Sequence, residues 1–106
     1  MKLVVDANIL FSFFKKASST RRFILSHPEI ELFTPVYVFD ELEEHKRDVK
    51  SKAKIDERIF ELSKKELSEY VTILPLEEFK DFWAAAKQIS PDLDNVEYLA
   101  VALSLG

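Results

Sequence analysis

A chain of 106 residues, 47% apolar and 32% charged, has the size of one domain and the balance of a folded rather than a disordered protein. It contains no cysteine, which excludes disulfides and thiolate metal centres, and no apolar run near the roughly 20 residues that span a bilayer. The net charge of −4 excludes a broadly basic surface, so any nucleic acid has to be held by a local patch or through metal ions.

Met1-Lys2-Leu3-Val4-Val5-Asp6 meets a charge too early for a signal peptide, and a cytoplasmic, non-membrane protein is expected. Leu3-Val4-Val5 reads as a buried strand of a parallel sheet. Asn8 to Phe14 follows as a largely buried helix, with Lys15 and Lys16 suited to its C-terminal end. Ser18-Ser19-Thr20 caps a second helix, Arg21 to Ser26, which Pro28 closes. Glu31-Leu32-Phe33 is the second strand, and Thr34-Pro35 reads as the cap and first position of the next helix.

In that helix Val38, Leu42, His45 and Val49 share one face. A basic, solvated stretch from Lys46 to Lys54 is expected to separate it from a further helix whose inner face is Ile55, Ile59 and Leu62, extended by Leu67. Val71 to Leu74 is a third strand, stopped by Pro75. Phe79, Phe82, Trp83 and Ala86 give a short amphipathic helix; Val96, Leu99, Ala100 and Leu103 give the last, with Gly106 just past its end. Strands alternating with helices predict a single α/β domain over residues 1–106, its parallel sheet covered by helices on both faces.

Sites in open parallel sheets form beyond the carboxyl ends of the strands. Asp6 stands there after the first strand, Glu41 lies at the margin of a buried helical stripe, and Asp92, Asp94 and Asn95 precede the last helix. Carboxylates brought together repel unless a cation lies between them, and a hard ion such as Mg²⁺ or Mn²⁺ takes oxygen ligands. Each residue also has a structural reading. Asp6 serves equally as a helix cap, Glu41 as a solvated glutamate beside Glu43 and Glu44, and the Asp92–Asn95 cluster as a turn after Pro91. His45 reads as a helix-face residue and His27 as a loop residue.

Three segments resemble the PIN domain family. Val4-Val5-Asp6-Ala7-Asn8-Ile9-Leu10 is similar to its opening strand and Asp-x-Asn signature, and Glu41-Leu42 in the segment Thr34 to Leu42 to its second acidic motif. Asp92 to Leu103 resembles its third, an Asp-rich turn entering a helix of small and apolar residues. The resemblance implies a three-layer α/β/α fold and a Mg²⁺- or Mn²⁺-dependent ribonuclease acting on single-stranded RNA, of the kind found among toxins of toxin–antitoxin pairs. It implies that Asp6 and Glu41 are metal ligands and catalytic residues, joined by Asp92 or Asp94, with Asn8 steadying Asp6.

Two features depart from the pattern. The third family acid falls at Asn95, whose amide brings no charge, so metal affinity is expected to fall unless Asp92 or Asp94 substitutes. The sequence stops at Gly106, before the family's further strands and its Thr-x-Asp turn. The family's fourth strand lies beside the first, so Leu3-Val4-Val5 is expected at an open edge. Either another chain, a second copy or an antitoxin, is expected to cover this edge, or the fragment is expected to be only marginally stable. A non-catalytic module working through such contacts is the alternative function.

Overall fold

In the computed structural model, which describes residues 1–90 and 93–106 but not the side chains of 93–95, the expected alternation is present. β1 (Lys2–Val4) leads into α1 (Ala7–Phe13) and α2 (Ser19–Ser26). β2 (Glu31–Pro35) leads into α3 (Val38–Glu44), α4 (Lys46–Ala53) and α5 (Glu57–Tyr70). β3 (Val71–Leu74) is followed by α6 (Leu76–Phe79), a 3₁₀ turn over Lys80–Phe82, α7 (Trp83–Ile89) and α8 (Leu93–Ser104).

The strands form a parallel sheet in the order β1-β2-β3, with Val4 opposite Phe33 and Phe33 opposite Thr72. Because successive strand side chains point to opposite faces, the sheet serves two cores. Leu32 and Val71 join Leu10, Phe13, Phe14, Leu42 and Phe60 on one side. Val4, Phe33 and Leu74 meet Phe79, Val96, Ala100 and Val101 on the other. The first five helices and the last three therefore cover opposite faces, the α/β/α layering expected.

One polar contact fixes the end of β1. The Val5 N–H donates to the Phe33 carbonyl at 2.9 Å. In a parallel ladder the Val5 carbonyl would next accept from the residue two further along β2, but that residue is Pro35, which has no N–H. The hydroxyl of Thr34, fully buried, donates to the Val5 carbonyl instead at 2.9 Å. Thr34→Val keeps the shape and strands that carbonyl. A loss of about 1–3 kcal/mol is expected in denaturant unfolding, and an unchanged midpoint would show the hydroxyl to be dispensable.

The same contact explains a difference from the sequence expectation. Thr34 and Pro35 do not cap a helix; they are the last residues of β2, and α3 begins only at Val38 after a turn. The lysine-rich stretch is not a separating loop but α4, ended by Lys54 at φ +57°. Lysine and arginine are good helix formers, Val49 anchors the helix in the core, and ion pairs from Lys46 and Lys50 to Glu57 hold it to α5.

On α5 the buried residues are Phe60 and Leu67, whereas Ile59 and Leu62 are 37% and 52% exposed. The inward stripe is thus turned by about one residue from the expected one, because Phe60 stacks on Phe14 with ring centroids 4.9 Å apart. The expected helix around Phe79 to Ala86 is broken by the 3₁₀ turn; Phe79 and Ala86 are buried, and Phe82 is exposed.

Candidate functional site

Asp6 follows β1 directly and is the N-cap of α1, its Oδ1 accepting from the Ile9 N–H at 3.0 Å. The capping role is therefore real. It occupies one carboxylate oxygen, and Oδ2 has no hydrogen-bond partner among the described residues. Glu41 lies between buried Val38 and Leu42 on α3, which points it along the edge of the core rather than into bulk water. Its Oε1 accepts from the Tyr98 hydroxyl of α8 at 2.8 Å.

Asp6, Asn8, Glu41 and Tyr98 line one cleft of about 310 Å³, together with Glu44 and His45. Asn8 and Glu41 also border a larger cleft that opens beside it. The sequence-predicted residues Asp6, Asn8 and Glu41 are thus brought together. Asp92 lies outside the described residues, as do the side chains of Asp94 and Asn95.

Tyr98 of α8 enters the site without having been expected there, and its neighbour Glu97 feels the charge of Glu41. Burial, then the hydrogen bond to Glu41 and its charge, hold the Tyr98 phenol above its usual range. Tyr98 therefore stays a donor and keeps Glu41 oriented. Glu97 has a buried Oε2 with no hydrogen-bond partner among the described residues. Burial raises its carboxyl above the ordinary value, and repulsion from Glu41 and Asp40 raises it further. The available signal was a Glu-Tyr pair inside the otherwise apolar run Val96 to Leu103. His45, read as a helix-face residue, is exposed at the junction of α3 and α4 and packs against Phe11, with ring centroids 5.4 Å apart. His27 stacks on Phe23 in its loop, 4.4 Å between centroids.

A family model for the PIN domain matches residues 4–106. The chain belongs to the PIN domain family. Comparisons with curated proteins and with solved structures each gave no match. PIN membership brings a nuclease-type function at the level of the family, with RNA as the implied substrate. Among the described residues no helix is long and apolar enough to cross a membrane.

PIN domains are in general divalent-metal dependent, so the fit of these residues to such an ion is a chemical question. Asp6 and Glu41 offer hard carboxylate oxygens on one cleft, which suit a Mg²⁺- or Mn²⁺-type ion. The unpartnered Glu97 oxygen and its repulsion by Glu41 mark a locality short of positive charge. Among the described residues no three carboxylates or imidazoles stand close enough to hold a metal by themselves. The PIN site as described therefore supplies two carboxylate donors that fit such an ion.

Proposed function

We propose that this PIN domain is a Mg²⁺- or Mn²⁺-dependent endoribonuclease that hydrolyses phosphodiester bonds in single-stranded RNA. The observation that carries the reading is the meeting of Asp6 and Glu41, from separate strand–helix units, on one cleft. Asp6 and Glu41 hold the ion, with Asp92 or Asp94 as a third donor and Asn95 at the family's third acidic position. When bound, the ion lowers the pKa of a water and offsets the charge that builds on the phosphodiester.

The protein's own part is positioning. The Ile9 N–H fixes one oxygen of Asp6 and the Tyr98 hydroxyl fixes one of Glu41, so each carboxylate keeps its second oxygen for the ion with little reorganisation. Asn8, at the start of α1 on the same cleft, steadies Asp6. The test is titration with Mn²⁺ while following cleavage of a labelled single-stranded RNA. Cleavage that appears with Mn²⁺ and is removed by chelator is expected; none at any Mn²⁺ concentration would sink the reading.

A second reading has its own observation. β1 is an edge strand, and Leu3 on it is 39% exposed. The edge leaves backbone groups of β1 open to another chain, which supports contact with a second copy or an antitoxin-type protein. A monomer by light scattering at high concentration would count against self-association.

A further inference from the structure

We propose that the larger cleft, between α1 and α4, seats the RNA nucleotide next to the scissile phosphate, with Lys15 and Lys52 as its phosphate contacts and His45 as its stacking surface. The inference rests on the ribonuclease reading and names how that site takes its strand. The cleft measures about 660 Å³ and is continuous with the acidic site through Asn8 and Glu41, which border both. Its volume lies within the range of cavities that take small organic groups.

The charges on α4 are divided. Lys46 and Lys50 are paired with Glu57, and Lys46 also meets Glu61 and Glu43. Those contacts hold the Lys46 ammonium above its usual range. Lys52 on the same helix, and Lys15 just after α1, line the cleft with no ion-pair partner among the described residues. In a chain of net charge −4, these two unpaired ammonium groups stand beside the carboxylate site, where each can meet a phosphate of a bound strand. Asp48, one turn before Lys52, and Glu41 also line the cleft and balance the two lysines in formal charge. The cleft therefore favours a strand that also gains from base contact over a bare anion.

That contact is available between the two cleft ends. The exposed His45 ring lies 5.4 Å from the half-buried Phe11 ring at an interplanar angle of 55°, both on the cleft wall. Aromatic faces beside cations are the means by which unpaired bases are held, and a base inside a duplex cannot reach them. The geometry therefore favours a single strand over a duplex.

The experiment measures binding of a fluorescent single-stranded RNA 12-mer to the full chain by anisotropy, in EDTA so that no metal-dependent cleavage runs. The double variant Lys15→Ala/Lys52→Ala is expected to bind at least about tenfold more weakly, with a salt slope smaller by about 1.4, at ~0.7 per lost phosphate contact. His45→Ala is expected to lose about tenfold and His45→Phe to retain binding. Lys65→Ala, on the exposed side of α5, should match the wild type. With Mn²⁺ present, the lysine variant should raise KM and leave kcat near its original value.

Folded lysine and histidine variants that bind like the wild type would overturn the assignment, as would a wild type that does not bind the oligomer. If the wild type binds and cleaves but these variants behave identically, the cleft inference alone fails. If the wild type binds with the expected variant pattern but never cleaves with Mn²⁺, the ribonuclease reading fails and takes the scissile phosphate with it, while the cleft stands as a single-strand binding surface.

Discussion

Asp6→Asn is expected to reduce Mn²⁺-dependent RNA cleavage by at least about a hundredfold while leaving the melting temperature nearly unchanged. The two halves of that expectation come from the two oxygens of one side chain. Oδ1 caps α1 through the Ile9 N–H, and Asn caps a helix about as well as Asp. The amide nevertheless removes the negative charge that would hold the ion. Loss of outer partners alone commonly lowers metal affinity or activity about 10–100-fold, so loss of a direct ligand should cost no less. Asp6→Ala, by contrast, should lose the activity and also about 1 kcal/mol of stability, because the cap goes with it. Glu41→Gln makes the parallel case: its amide oxygen can still accept from Tyr98, but the charge is gone. Thermal melts, Mn²⁺ binding by calorimetry and cleavage of labelled RNA measure the three quantities separately. An Asp6→Asn protein that cleaves at the original rate would show that Asp6 is only a cap.

The position of Asp6 marks how far the sequence could carry the candidate site. Asp6 was legible because a short apolar strand ending in Asp and followed by a buried helix has few alternatives, and its carboxylate falls at the sheet's carboxyl edge. Glu41 was legible from its place at the margin of the Val38–Leu42 stripe. Tyr98 and Glu97 were not, since a helix pattern gives the angle of a side chain about its own axis and not the neighbour it meets. Their role depends on α8 packing against β1 and β2, so that the Tyr98 hydroxyl reaches Glu41 on α3. α4 was missed for a related reason. Its lysine-rich sequence carries one buried apolar anchor, Val49, and part of its stabilisation comes from carboxylates on α5 that no local window contains. The β2 boundary turned on a missing N–H at Pro35 that the Thr34 hydroxyl replaces. In each case a tertiary contact overrode the reading that local chemistry favoured.

The α5 register offers the sharpest energetic contrast between sequence pattern and packing. Phe60→Ala is expected to destabilise the protein by about 3–5 kcal/mol, the usual cost of deleting a buried aromatic side chain. Phe60 is fully buried, stacks on Phe14 with centroids 4.9 Å apart, and has the Lys46 ammonium 5.3 Å from its ring centroid. For a domain whose whole stability is about 5–15 kcal/mol, this is a large fraction. At about 4–8 °C per kcal/mol for a chain near this size, the melting temperature should fall by more than about 10 °C. Leu62→Ala, at a position 52% exposed, should change stability by less than about 0.5 kcal/mol. The periodic pattern Ile55, Ile59, Leu62 makes the opposite forecast, because it turns Leu62 inward and Phe60 outward. Paired melts of the two variants therefore decide which stripe faces the core: a Leu62→Ala loss equal to or greater than that of Phe60→Ala would restore the sequence-based register. The outcome also bears on the cleft. α5 holds α4 in place through Glu57 and Glu61, so a rotation of α5 would release Lys46 and Lys50 and blur the division of charge that leaves Lys15 and Lys52 unpaired.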